Sequence, residues 1–164
     1  MSNNFNYSGI NYNDLAAAPG ICVSYFAQGC PHRCPGCHNP ETWSFEGGMN
    51  FTPETMRSII SSLTAQGIQR TFCVMGGEPL CEENALLTYY VVHVVRDELP
   101  DTPIYIWSGY TIEELLQSNN AFVKESLRCA NYLIDGPYVE AERDITLSMR
   151  GSRNQRILDL SNYF

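Results

Sequence analysis

The feature that most constrains this chain is a repeated hand-over. An apolar, β-branched or aromatic run ends on a glycine-bearing loop, and a helical pattern follows. Ile21 to Ala27 runs into the loop of Gly29, Arg70 to Met75 into Gly76-Gly77-Glu78, Pro103 to Trp107 into Ser108-Gly109-Tyr110, and Tyr132 to Ile134 into Asp135-Gly136. Between them lie helical signals. Thr52-Pro53 supplies an N-cap and a first-turn proline for a helix to about Gln66. Glu82 to Glu98 carries Leu86, Leu87, Tyr90, Val91 and Val94 at helical spacing, and Pro100 closes it. Thr111 with Glu114 forms a capping box, and a further helix spans Ala121 to Cys129. Arg156 to Leu160 reads as a last strand, and residues 1–18 as an irregular lead-in. Such alternation implies βαβ units with right-handed crossovers and a parallel sheet, either open and doubly wound or part of a (βα) barrel. In both, the loops after the strands share one rim, where sites gather. With 164 residues, no repeats and no linker, the chain reads as one domain, 1–164.

Seven cysteines narrow the chemistry. An odd number cannot pair off completely into internal disulfides. No secretory or membrane segment is evident, so a cytoplasmic, thiol-reducing setting is expected, where clustered cysteines more often serve metal or redox chemistry. The net charge of −8 argues against a nucleic-acid surface, which needs clustered positive charge. That charge is uneven. Residues 143–164 hold Arg143, Arg150, Arg153 and Arg156 against Asp144 and Asp159, a net +2, which leaves −10 on residues 1–142. A basic C-terminal segment on an acidic body is a candidate docking surface for an acidic partner or an anionic cofactor group.

Three of the cysteines, Cys30, Cys34 and Cys37, fall on the long loop Gln28 to Gly48 with the spacing Cys-x3-Cys-x2-Cys. Three thiolates on a short loop rich in proline and glycine can converge on a soft metal centre. A closed zinc site wants four ligands, which His32 or His38 would have to complete. An iron–sulfur cluster with three cysteines instead leaves one iron open to a substrate. Cys34-Pro35-Gly36-Cys37 also has the spacing of a dithiol redox pair, but such a pair should open a helix, and Pro40 makes that a poor helix start. Structural zinc module, dithiol oxidoreductase and catalytic cluster are therefore the three readings of these residues.

Five stretches decide among them: Gly29-Cys30-x-His32-x-Cys34-Pro35-Gly36-Cys37-x-Asn39 with Thr42-Trp43, then Gly76-Gly77-Glu78-Pro79-Leu80, Trp107-Ser108-Gly109-Tyr110, Ile134-Asp135-Gly136, and Arg150-Gly151-Ser152-x-Asn154-Gln155. In this order they resemble the radical S-adenosylmethionine (radical SAM) superfamily. Within it they resemble the glycyl-radical enzyme activases that serve the anaerobic ribonucleoside-triphosphate reductase, from about Gly20 to Leu158. The resemblance implies an α/β fold, an incomplete (βα) barrel with a mostly parallel sheet and helices outside. It implies an oxidoreductase whose 4Fe–4S cluster is held by Cys30, Cys34 and Cys37. The open iron would take S-adenosyl-L-methionine, and its reductive cleavage would give a 5′-deoxyadenosyl radical that abstracts hydrogen from a glycine of the reductase. A one-electron donor such as flavodoxin is implied. Neither nucleic acid nor membrane is. The neighbouring alternative is an activase of another glycyl-radical enzyme, such as pyruvate formate-lyase.

Residue by residue, Gly76, Gly77 and Glu78 match the motif that receives the methionyl amino group. Gly36 stands where many superfamily members have an aromatic residue near the adenine, so Gly36 and His38, which flank Cys37, join the cofactor-contact set, and His38 or Trp43 is a candidate for the missing ring. Asp135 is a candidate ligand for a ribose hydroxyl or a cation, with a turn role as its alternative. Cys22, Cys73 and Cys129 read as core residues and His93 as packing or surface, while Cys81 lies between core and site.

Overall fold

The computed structural model describes residues 3–164; Met1 and Ser2 of the expected lead-in lie outside the described residues. Eleven regular elements follow one another: β1 (Asn6–Asp14), β2 (Cys22–Ala27), β3 (Met49–Asn50), α1 (Pro53–Leu63), β4 (Thr71–Gly76), α2 (Ala85–Glu98), β5 (Ile104–Trp107), α3 (Ile112–Leu116), α4 (Ala121–Cys129), β6 (Tyr132–Asp135) and β7 (Arg156–Asp159). They build one seven-stranded sheet in the order β3-β1-β2-β4-β5-β6-β7. The inner four strands, β2, β4, β5 and β6, are parallel, as the alternation requires. The flanking strands β1, β3 and β7 run antiparallel to their neighbours.

The reading of residues 1–18 as irregular is corrected. Asn6–Asp14 is the longest strand in the fold, paired with β2 along most of its length. Its Asn, Tyr and Gly content hides it because it lies near the edge, where polar side chains meet water and pairing comes from the partner strand. Helix ends moved by a few residues for identifiable reasons. Thr52 caps α1 reciprocally with Thr55, and the helix stops at Leu63, after which a 3-10 turn holds Gln66 at φ 61°. The capping box of Thr111 and Glu114 forms as read. α2 begins at Ala85, not Glu82, and Asn84 makes no side-chain cap. Its amide instead donates to the carbonyls of Gly29 and Glu78, at 3.0 and 2.9 Å.

The parallel register puts Val23, Tyr25, Phe72, Val74, Ile104, Ile106 and Leu133 on one face. Residues of all four helices close over that face and make the main core, with Met56, Ile59, Val91, Val95, Leu115 and Leu127 fully or nearly fully buried. The apolar stripe of α2 is rotated from its sequence reading. Leu87, Val91, Val92 and Val95 go inward, whereas Tyr90 is exposed. A helix with valines on several sides does not specify its buried face by pattern alone. The opposite face of the sheet carries Cys22, Cys73, Met75, Tyr105 and Trp107, covered by Ala17, Ala18 and Met149 rather than by a helix. No helix among the described residues is long and apolar enough to cross a membrane.

Candidate active site

The parallel strands β2, β4, β5 and β6 all deliver their C-terminal ends to one rim, and the loops that leave them enclose a cavity of about 270 Å³. The loop after β2 is pinned at its neck. The Gly29 and Cys30 amides donate to the carbonyls of Thr42 and Trp43, at 2.6 and 3.1 Å, and buried Gln28 donates from its side chain to Ser44 O at 2.6 Å. Within it, a turn closes from Cys37 N to Cys34 O, with Arg33 and Gly36 in left-handed conformations. The chain therefore curls, and Cys30, Cys34 and Cys37 all line the cavity. None of the seven cysteines is in a disulfide. The Asn39 amide donates to Cys37 Sγ at 3.4 Å. Burial pushes the Cys30 thiol up to about 11. The backbone N–H groups of His32 and Arg33 pull it down, and the charge of Glu78 adds to the rise. A cation on that sulfur would offset the desolvation.

Beside the cysteines, the end of β4 lines the cavity. Gly76 sits at φ +105°, and a Cβ there would fall 2.6 Å from Ala27 N. A Cβ on Gly77 would fall 2.5 Å from Gly29 O. Two glycines therefore let the β4 end lie directly against the start of the cysteine loop, a contact sealed by Gly77 N to Ala27 O and Glu78 N to Gly29 O, both 2.9 Å.

Glu78 is almost wholly buried, and its carboxylate is a hub. It accepts from the Gly109 amide at 2.7 Å, the Leu80 amide at 2.9 Å and the Ser108 hydroxyl at 2.9 Å, and it pairs with His32 Nε2 at 2.8 Å. Burial pulls the His32 imidazole down, but the Glu78 hydrogen bond and charge outweigh it, and the net shift is upward. His32 also stands edge-on to Tyr110, ring centroids 4.5 Å apart. One carboxylate thus ties the loops after β2, β4 and β5 together.

Of the residues singled out from the sequence, Cys30, Cys34, Cys37, His38, Gly76, Gly77 and Glu78 line the cavity. Gly36 and Asp135 do not. Gly36 is exposed and faces the Glu140 side chain. Asp135 is turned inward, where its carboxylate accepts from the Ile112 amide at 2.8 Å and from Arg156 at 3.0 and 2.6 Å. It therefore locks β6 to β7 and to the start of α3. Cys81 is buried away from the cavity and donates to Glu78 O at 3.3 Å, which makes it a core residue.

Other lining residues carried no assigned role in the sequence: Met75 and Trp107 at strand ends, and Tyr138, Met149, Gly151 and Gln155 from the segment between β6 and β7. That segment folds back over the rim. Gln155 Oε1 accepts from the Gly151 and Ser152 amides, and its Nε2 donates to Gly136 O at 3.0 Å. Asn154 donates to Pro137 O at 2.7 Å, and Trp107 Nε1 to Met149 O at 2.7 Å. The Arg-Gly-Ser-x-Asn-Gln stretch is thus the clasp that holds the cavity's second side.

Three cysteines lining one cavity are a donor set that an iron–sulfur cluster can use. Among the described residues, no three His, Cys, Asp or Glu side chains lie close enough to share one metal ion. A multi-iron cluster gives each thiolate its own iron and asks only that the thiols share a cavity.

Comparison with known proteins agrees with this arrangement. Residues 16–158 match the family model described as a 4Fe-4S single cluster domain. The chain is 36% identical over 145 residues to the anaerobic ribonucleoside-triphosphate reductase-activating protein of Vibrio cholerae, covering 88% of this chain and 91% of the relative. It is 36% identical over 143 residues to the protein of that name in Escherichia coli (strain K12), covering 87% and 90%. The one in Enterobacteria phage T4 is 34% identical over 152 residues, covering 93% and 92%. With cysteine loop, double glycine and clasp arranged around one cavity, the chain belongs to the 4Fe–4S single cluster domain family, among the anaerobic ribonucleoside-triphosphate reductase-activating proteins.

Proposed function

We propose that this chain activates an anaerobic ribonucleoside-triphosphate reductase, with Cys30, Cys34 and Cys37 as the ligands of a 4Fe–4S cluster and S-adenosyl-L-methionine as cosubstrate. The observation that carries it is that three free cysteines and the Gly76-Gly77 strand end line one cavity. A cluster held by these cysteines, once reduced by an external one-electron donor, would supply the electron for reductive cleavage of the cosubstrate's sulfonium bond to methionine and a deoxyadenosyl radical, which would take a hydrogen atom from a glycine of the reductase. The protein's part is to hold and exclude. Gly76 and Gly77 line the cavity without side chains, so their backbone is open to approach by the cosubstrate's ammonium group. The Glu78 carboxylate is engaged by four donors, so its part is to fix the loops rather than to grip the ligand directly. Trp107, Tyr138 and Met149 supply apolar cover against water.

The sheet fits the incomplete-barrel reading: all four helices coat one face, and the strand ends open on one rim. A doubly wound sheet would carry helices on both faces. A dithiol role loses its physical basis, because Cys34 and Cys37 sit on a turn followed by a 3-10 segment, Pro40–Thr42, and not at the head of an α-helix that would lower a thiol pKa. We further propose a cytoplasmic site of action and an electron donor such as flavodoxin, with the exposed Arg143 and Arg153 as the contacts for an acidic patch on the reductase.

The test is anaerobic reconstitution with iron and sulfide, followed by mixing with a reductant, S-adenosyl-L-methionine and candidate glycyl-radical enzymes. A glycyl radical by electron paramagnetic resonance on the anaerobic reductase is expected. A radical on another partner alone would move the chain to the alternative activase reading. Stoichiometric zinc without a reducible cluster would overturn the proposal.

A further inference from the structure

The sheet does not close on itself, so it has two edges, and they are guarded differently. On one side β7 is the outermost strand and carries a charge at each end, Arg156 and Asp159. On the other side β3 pairs only with Asn6 and Tyr7, and no strand among the described residues lies outside the rest of β1. That stretch, Ser8-Gly9-Ile10-Asn11-Tyr12-Asn13, holds neither charge nor proline, the common means of blunting an edge. Register shifts break its ladder with β2 between Tyr7 and Gly9 and between Asn11 and Asp14, so Gly9, Ile10 and Asn11 form the regular run between them. An antiparallel ladder engages alternate residues on each side of a strand. Apart from the ladders with β2 and β3, the backbone groups of residues 8–12 make no hydrogen bond among the described residues.

Gly9 is a second sign. A Cβ there would meet nothing within 4 Å, and its φ lies outside the left-handed range. Neither crowding nor conformation within this chain asks for glycine, and a strand is weakened by one. A glycine inside a strand often marks a place where a ligand or another backbone comes close. Beside it runs a groove of about 300 Å³, lined by residues 8–11 of β1, by Phe26 of β2 and by Asn39 and Thr42. Asn39 also lines the active-site cavity. What the edge offers is a short row of backbone donors and acceptors at strand spacing, which an extended polypeptide matches. A second copy of this chain could offer only the same three-residue run, far short of the roughly 1,000 Å² that a stable interface buries. The protein substrate has no such limit, since it must reach the cavity in any case and the groove lies across Asn39 from it. We propose that an extended segment of the reductase, near the glycine it presents, adds as a strand to β1 at Gly9–Asn11 and sets an apolar side chain into the groove beside Ile10 and Phe26. The added strand holds the substrate protein in register with the cavity. The inference rests on the proposed function.

The test is hydrogen–deuterium exchange of the reconstituted full-length protein, alone and with excess reductase, read by mass spectrometry. Exchange in peptides covering residues 6–14 should slow about tenfold when the reductase is added. Gly9→Val puts a strand-forming side chain where there is room for it, so its unfolding midpoint and iron content should match the parent. Its side chain fills the groove, and the reductase should bind about tenfold more weakly. If Gly9→Val does not fold, exchange in the unmodified protein decides alone. Slowing that grows with the chain's own concentration, without reductase, would give the edge to a second copy and overturn the inference. Equal slowing at residues 156–159 would report general stiffening and overturn it, as would parental affinity in folded Gly9→Val. A glycyl radical formed on the reductase without slowing at residues 6–14 overturns it while leaving the proposed function standing. A reconstituted protein that neither binds the reductase nor raises its radical overturns both.

Discussion

At the scale of single residues, the site depends on two kinds of position: those that supply chemistry and those that let others approach. The cysteines were legible because spacing on one short loop is a local property. The part played by Glu78 was not, because its partners His32, Ser108, Gly109 and Leu80 come from three loops that meet only in the fold. Its sequence context suggested a direct grip on an ammonium group, whereas its surroundings make it a hub. Glu78→Ala should therefore cost stability first. Two amides, a hydroxyl and the imidazole lose their acceptor, and a loss of about 2–4 kcal/mol is expected in urea unfolding. Cosubstrate affinity should fall as a consequence of loop loosening. A variant as stable as the parent would show that the hub is unimportant. Gly77→Ala makes a different prediction. Its Cβ would stand 2.5 Å from Gly29 O, a backbone atom that cannot step aside, so the cysteine loop must shift. Iron uptake on reconstitution should drop several-fold in this variant although no ligand has been touched.

At the scale of elements, the inner strands announced themselves because they are buried on both faces and rich in β-branched and aromatic residues. β1 did not, since its Asn-Tyr-Ser-Gly-Ile-Asn-Tyr-Asn-Asp run carries turn formers that only pairing with β2 holds extended. The segment between β6 and β7 shows the same limit on the functional side. Its Gly-Ser-x-Asn-Gln stretch was recognisable as a pattern, but its role required seeing Gln155 reach Gly136. Gln155→Ala removes the acceptor of two amides and the donor to that carbonyl. The clasp should open, weakening S-adenosyl-L-methionine binding several-fold in titrations while cluster content stays constant. Asp135→Asn separates structure from ligand binding at the other end of the same element. The buried carboxylate loses its charge-assisted bonds to Arg156, and about 1–3 kcal/mol of stability should go. Cosubstrate affinity in the folded variant should remain within about twofold, because Asp135 does not line the cavity. A large affinity loss at unchanged stability would return Asp135 to the cofactor-contact set.

At the scale of the whole molecule, charge and shape bear on how a protein-sized substrate is met. The chain carries −8 overall, and the basic character of residues 143–164 is smaller than its arginine count suggests. Arg156 is already paired, with buried Asp135 and with Glu113 at the surface. Arg143, Arg150 and Arg153 make no ion pair among the described residues, and Arg143 and Arg153 are exposed. Both sit on the segment whose Tyr138, Met149 and Gln155 line the cavity. A partner drawn to them arrives beside the place where its glycine must be presented. Exposed charges act mainly through encounter and are screened over about 8–10 Å at ordinary salt. Reversing both, as Arg143→Glu with Arg153→Glu, should therefore slow glycyl-radical formation on the reductase by about three- to tenfold at low ionic strength. The difference should shrink toward nothing as salt is raised. Cleavage of S-adenosyl-L-methionine in the absence of the reductase should be unchanged, because neither side chain lines the cavity. An equal loss in both reactions would mean that the substitutions had disturbed the clasp. A rate on the reductase that is unaffected at every salt concentration would mean that the reductase approaches from another side.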